Sequence, residues 1–373
     1  MRLTNLILSN DDPNLMRILI LSGVAWVPLA LLTLIDGTFV ATDVTIPFIK
    51  DVVPYVRSLF VIPLLVMADN IIEPAMARAL DYLRVSGVVP DLENERLEAA
   101  AQSMSLAMNS KVAQLVLLVL VVSISWLFHT DYVLMWSEHG ATSWALHMND
   151  GEVDVSLAGL WFLLVSSPLV SFLLYRWIWR FIIWSVFLYR VSRLKLDLYA
   201  SHSDMAGGLG IIGQTQLLFG VVFLVMTILI SSDLANNLLY EGEKLANIKL
   251  GVVGFIAISV IILTAPLLCF SEMLYNLKRK ALAEYSRLQQ QISGDFHKKW
   301  IIDMEKKLVD SMQPSAMADY NVVYEVVSNM RIIPISLASV VILAVVLLLP
   351  FLPLALTESS IVELLRDIGR SLL

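Results

Sequence analysis

The sequence predicts an all-α membrane protein: a polytopic bundle of about seven transmembrane helices, N-terminus inside, with a helical stalk on the inner side. Three observations predict it. Of 373 residues, 58% are hydrophobic and only 16% charged, with a mean hydropathy of +0.75, whereas soluble domains approach a quarter charged. The apolar residues gather into runs of about 20, the length a helix needs to cross a bilayer core. Lys and Arg crowd alternate loops, as the positive-inside tendency requires.

The opening stretch, MRLTNLILSNDDPN, reads as a small interfacial segment with no cleavable signal, because Asn and two Asp break its apolar run. Spans follow at roughly Leu15 to Ile35, Val56 to Leu80, Val112 to Phe128, Ala158 to Val191, Leu209 to Ile230, Leu250 to Phe270 and Ile333 to Leu356. Pro63 and Pro74 interrupt the second. The fourth would run ~50 Å, so its last turns should leave the bilayer.

Basic residues set the direction. Arg2 and Arg17 flank the start, and Arg78, Arg84, Arg96 and Lys111 flank the loop after span two. Arg190, Arg193 and Lys195 follow span four, and the loop after span six carries Lys278, Arg279, Lys280, Arg287, Lys298, Lys299, Lys306, Lys307 and Arg331. The stretch from His129 to Leu157 has neither Lys nor Arg. The C-terminus is therefore expected outside, where SSIVELLRDIGRSLL would form a short amphipathic helix.

The chain divides into a bundle over 1–270, a cytoplasmic stalk over 271–331, and a last span with the outer helix over 332–373. Within the first part, Asp91 to Ser110 reads as an inner surface helix rich in Leu, Glu and Ala. In the stalk, Leu282, Tyr285, Ile292 and Phe296, then Trp300, Met304 and Leu308, recur at mostly helical spacing, punctuated by Gly294 and Pro314. Span six should run on into this stalk, which folds back before span seven.

Composition excludes several function classes. A net charge of -7 and a pI near 5.3 argue against a nucleic-acid partner. Cys269 is the single cysteine, so there is no disulfide framework and no cysteine-ligated metal site. No cofactor motif and no catalytic constellation stands in the spans, and an enzyme is not expected.

Ionisable groups inside a span each need a partner or a purpose. In LLVMADNIIEPAMAR, Asp69 and Glu73 share one helix face, and Pro74 removes the donor that would bond the Asn70 carbonyl. Asp69, Asn70 and Glu73 thus form a candidate cation or proton pathway. Arg176 and Arg180 supply the alternative, a structural ion pair of Glu73 with Arg176; the two stand ~24 Å and ~27 Å inward along their helices. Trp177, Trp179, Trp184, Tyr175 and Tyr189 read as an interfacial aromatic belt. In the basic-free stretch, His129, His139 and His147 mix with Asp131, Glu138, Asp150, Glu152 and Asp154 at no recognisable ligand spacing. A solvated loop or a cation-attracting vestibule fits it, and any metal site stays undefined.

The segment SHSDMAGGLG, Ser201 to Gly210, lies at the inner mouth of span five. Ser203 or Asp204 can cap the incoming helix, and Gly207, Gly208 and Gly210 permit left-handed turns or close backbone packing. With Arg190, Arg193 and Lys195 just before it, the segment reads as a hinge or anion nest of His202, Asp204 and the three glycines, with lipid phosphate in reach. Gln214 and Gln216 follow and face different sides, so only one need line a cavity.

This His-x-Asp-x-x-Gly-Gly-Leu-Gly segment, with MRIIPISLASVVILAVVLLLPFLPLAL near the end, resembles a widespread set of uncharacterised bacterial inner-membrane proteins. Those have proline where Ser203 stands. The likeness covers roughly the C-terminal half, implies a multi-pass bacterial inner-membrane protein and brings no activity with it.

The function expected is an ion channel or transporter, cation-conducting and homo-oligomeric, with the acidic residues of span two on the pathway and the lipid bilayer around it. The alternative is a membrane sensor or scaffold that recruits a soluble cytoplasmic partner through the stalk.

Overall fold

The computed structural model describes residues 13–41, 44–139, 143–149, 152–240, 245–298, 302 and 313–355. The opening interfacial segment, the outer C-terminal helix, most of the stalk tip and the side chains of the histidine-bearing stretch lie outside them. Among the described residues six helices are long and apolar enough to cross a membrane: Asn14–Ile35, Val52–Val85, Leu157–Val191, Gly210–Tyr240, Asn247–His297 and Leu337–Ala355. A seventh results if Asp91–Met108 and Lys111–Ser125, meeting at 43°, count as one bent span.

Helix α1 is Pro13–Ile35; α2 is Val52–Tyr55, continued through a π-helical turn at Val56–Val61 into α3, Ile62–Val85. α4 (Asn94–Met108) and α5 (Lys111–His139) precede a hairpin of β1 (Leu146–Asn149) and β2 (Glu152–Val155), paired Leu146 to Val155. α6 (Leu157–Trp161) passes through a second π-helical turn, Phe162–Ser166, into α7, Ser167–Val191. Both turns end two residues before a proline, Pro63 and Pro168. A proline ring cannot sit under the carbonyl four residues back, so the helix widens and Ile62 N–H bonds Arg57 O while Ser167 N–H bonds Phe162 O.

The second half runs α8 (Gly210–Leu218), α9 (Gly220–Tyr240), α10 (Leu245–Thr264), α11 (Ser271–His297), α12 (Gln313–Ser328) and α13 (Leu337–Leu348). As expected, α10 continues into the stalk and α12 folds back along α11. Tyr285 and Tyr320 stack at 6.1 Å, and Gln289 donates to Asn321 at 2.9 Å. Contacts flanking α5 fall at opposite ends of the bundle. Just before α5, Ala107 O accepts from Trp179 at 3.3 Å; beyond it, Trp144 bonds Ile46 O at 3.1 Å and Asp51 at 2.8 Å, on the opposite loop.

Depth follows from α1, whose 23 residues span ~34 Å, about one bilayer core. Asn14 at its start donates to Asn70 of α3 at 3.1 Å; if α1 spans one bilayer core, Asn70 lies level with its edge on the side of the basic loops. The helices Val52–Val85 and Leu157–Val191, with 34 and 35 residues, run ~50 Å. They therefore project past that edge, as the length of the fourth span foretold. Around the projections α4, α8, α11 and α12 build a packed layer whose buried core includes Leu83, Leu97, Phe187, Leu209, Phe270 and Met330. By contrast, Val112, Leu115 and Val119 of α5, Ile258 and Ile261 of α10, and Val341 and Ile342 of α13 stay exposed on the protomer surface, as lipid-facing side chains do.

The aromatic belt is corrected. Trp177 and Trp184 are fully buried, donating to Leu65 O at 2.9 Å and to Gln216 Oε1 at 3.0 Å. They are core residues whose indole N–H groups are satisfied by other helices. Trp179 is half-buried and Tyr189 exposed.

α8 crosses the segment before α13 so closely that a Cβ on Gly213 would overlap the Pro334 carbonyl oxygen, whereas Gly251 and Gly254 of α10 have open space. Gly213→Ala should therefore lower stability by about 1–3 kcal/mol, the usual penalty of overpacking. Thermal unfolding of the detergent-solubilised protein, with Gly254→Ala unchanged beside it, checks this.

Candidate functional site

Three polar assemblies lie at three depths. The first ties α3 to α7 at the basic membrane edge. Arg176 Nη2 donates to both oxygens of Asp69 at 3.0 and 2.9 Å, and Arg180 Nη1 donates to Asp69 Oδ1 at 2.9 Å. Arg180 also pairs with Glu73 at 2.5 Å and lies over the Trp177 ring at 4.9 Å. The structure thus corrects the expected pairing. Arg176 holds Asp69, not Glu73, and Glu73 takes Arg180. Asp69 lies at the level of the first turn of α1 and not at the bilayer centre. Asn70 spends its side-chain oxygen on Asn14, and Glu73 is the half-exposed member.

The second assembly, which sequence reasoning missed, sits in the outer half of the membrane. Arg57 donates to Ser167 Oγ at 3.2 Å, pairs with Asp233 at 3.5 Å and lies over Phe162 at 5.5 Å. Asp51 accepts from Val53 N–H at 2.9 Å, Trp144 Nε1 at 2.8 Å and Asn236 Nδ2 at 2.8 Å. Arg57 Nε and Asn236 Oδ1 are buried and reach no protein partner. Phe219 packs on Phe181 at 5.5 Å, next to Arg180, which fixes the basic edge on α9. Asp233 is then ~21 Å inward, with ~10 Å of hydrocarbon beyond it. The Asp233 signal was present in the sequence, inside a run whose apolar part ends near Ile230. Taking the span to stop there placed Asp233 in water.

The third assembly is the glycine segment, just before the start of α8, on the side of the basic loops. Asp204, rather than Ser203, organises it. Its carboxylate accepts from Ala206 N–H at 2.8 Å, Gly208 N–H at 3.2 Å and Gly210 N–H at 2.8 Å, with His202 Nδ1 2.9 Å away. Met205, Gly207 and Gly208 have φ of 53°, 67° and 96°, so the loop winds left-handed around the carboxylate. Burial disfavours the Asp204 anion, yet the N–H groups of Ala206, Gly210 and Gly208 and the His202 side chain hold its pKa below the usual carboxylate value. A cleft of about 300 Å³ opens beside it, lined by Gln214, Arg331, Ser336 and Ser339 among others. The cation in this cleft is Arg331, not Arg190 or Arg193. Arg190 lines a separate groove between α4 and α7, and Arg193 lies over Tyr189 at 4.9 Å. Of the two glutamines, Gln214 faces the cleft while Gln216 is buried, donating to Leu263 O at 2.6 Å.

Among the described residues no group of three or more His, Cys, Asp or Glu could hold a metal ion. No protein-family model, curated protein or solved structure matches the chain.

Two outcomes are expected. Asp69→Asn leaves the half-buried Arg176 guanidinium without its carboxylate, while Arg180 keeps Glu73, and should cost about 2–3 kcal/mol, partly recovered in Asp69→Asn/Arg176→Gln; a double-mutant cycle on thermal unfolding measures it. The depressed pKa of Asp204 gives stability that is complete above the ordinary value of 3.8 and lost as pH falls through the lower folded-state value. Unfolding followed from neutral pH into that acid window should show this loss in the wild type and a flatter profile in Asp204→Asn.

Proposed function

We propose that this multi-pass membrane protein is a homo-oligomeric ion channel or transporter of a bacterial inner membrane, conducting a cation. The observation that supports it most is Asp233. Its side chain is 52% exposed on the protomer surface at a depth where a carboxylate facing lipid costs several kcal/mol. Water in a conduction path, or a second copy completing one, relieves that cost. The unpartnered Arg57 Nε and Asn236 Oδ1 point the same way, since buried polar atoms require a hydrogen-bonding neighbour.

In this reading Asp51 and Asp233 attract the cation from the basic-poor side, and Arg57 balances Asp233 when none is present. Of the two π-helical turns, one contains Arg57 and the other contains Phe162, the ring it lies over, and such unevenly bonded backbone is frequent at functional sites. Asp69 serves as a structural tie, its oxygens taken by arginines, and Glu73 offers the freer carboxylate at the inner mouth. The sensor or scaffold reading is favoured by one observation, the α11–α12 hairpin, which is large, amphipathic and outside the membrane.

Cation flux into liposomes carrying purified protein tests the proposal. Wild type should conduct, and Asp233→Asn should slow flux about tenfold or more, equivalent to at least ~1.4 kcal/mol on the barrier. Unchanged flux in Asp233→Asn would remove Asp233 from the pathway. A folded, incorporated wild type with no flux at any pH or voltage would favour the scaffold.

A further inference from the structure

The cleft beside the glycine segment has no part in the conduction path, and its charge balance is unusual. Arg331 reaches across from the end of the stalk. Its Nη2 donates to the Asp204 carbonyl oxygen and its backbone N–H to Met205 O at 2.7 Å. Its Nε is buried without a partner, and among the described residues no carboxylate lies within ion-pairing distance of its guanidinium. Asp204, the acid lining the cleft, has both carboxylate oxygens occupied by backbone N–H groups and the His202 imidazole. Lys278 does not line the cleft; its Nζ donates to Met330 O at 2.7 Å, which holds the backbone just before Arg331.

The remaining wall mixes polar donors with the apolar side chains of Leu217, Pro334 and Ile335. Gln214, Ser336 and Ser339 line the cleft, and α8 and α13 both begin at its rim, at Gly210 and Leu337. Each helix start adds a partial positive charge to a cavity that already holds a guanidinium, with Asp204 capping Gly210 N–H and Ser336 capping Ser339 N–H. A volume of about 300 Å³ is at the small end of ligand pockets. It suits a compact anion or small phosphorylated molecule.

We propose that this cleft binds a phosphate-type oxyanion taken from the aqueous phase on the basic side, with Arg331 as its charge partner and Gln214 and Ser336 as neutral donors. Depth separates this source from lipid. Gly213 lies six residues beyond Phe219, ~9 Å past the membrane edge along α8, whereas lipid headgroups extend ~5–7 Å past the hydrocarbon.

The test uses the full chain in nanodiscs of zwitterionic lipid, titrated with inorganic phosphate at constant ionic strength and followed by calorimetry and thermal unfolding. Saturable binding that chloride does not reproduce is expected. Gln214→Glu places a carboxylate in the cleft while leaving the Arg331 bonds intact, and should weaken binding about tenfold or more. Arg331→Gln should weaken it by a similar factor, as loss of a charge-assisted hydrogen bond of ~1.5–3 kcal/mol implies. No saturable phosphate binding, or equal affinity in Gln214→Glu, would overturn the proposal. Stabilisation by anionic lipid alone, with none from phosphate, would overturn the aqueous source. Binding is read without any flux measurement, so this proposal and the conduction proposal fail or stand separately.

Discussion

The sharing of one carboxylate by two arginines is the constraint on which the architecture turns. Asp69 holds Arg176 and Arg180 at the same level where Asn14 meets Asn70. α3 and α7 are too long for a bilayer, and something must fix how far each slides through it. A carboxylate gripped by a guanidinium from each of two successive turns cannot shift by a turn without exposing three charges. With that register set, Trp177 reaches Leu65 O, Trp184 reaches Gln216, and α8 and α10 dock on the projecting parts. Each indole and amide bond is a buried polar contact that tolerates no slippage, because an orphaned donor inside the core costs ~1–3 kcal/mol.

Below that register the packing is dense, and within the membrane it is sparse. The two apolar windows with most buried surface are Val52–Val85 and Gly210–Tyr240, each 44% buried, while Asn247–His297 and Leu337–Ala355 reach only 22%. The two more central helices are those that carry Arg57 and Asp233. Charge in the outer half is therefore placed on the elements least committed to lipid, the placement expected where polar groups serve an internal path.

Six of the membrane-length helices, the run of the sixth span into a helical stalk, the length of the fourth span and the cap before α8 were legible because each rests on local pattern: run length, helical spacing, an Asp followed by glycines. Partner identity was not. Asp69 and Glu73 share a face with period four, as do Arg176 and Arg180, so spacing alone allows either cross-pairing; axial register, set by tertiary packing, decides it. The burial of Trp177 and Trp184 was hidden for the same reason, since an interfacial tryptophan and a core tryptophan have one composition. Arg331 and the close approach of Pro334 to Gly213 join residues over a hundred positions apart, and no periodicity reports such a contact.

The glycine segment shows how a flexible composition becomes a rigid part. Gly207 and Gly208 permit left-handed backbone, but permission does not order a loop. The Asp204 carboxylate does, by drawing three N–H groups to itself, and Arg331 anchors the outside of the same turn through two carbonyl oxygens. Because Arg331 follows α12, the end of the stalk is bonded to the entrance of α8, and Pro334 then wedges against Gly213. A displacement of the stalk hairpin therefore cannot leave the cleft or the start of α8 unchanged. The aqueous layer and the central membrane helix α9, which continues directly from α8, are mechanically one unit at this point.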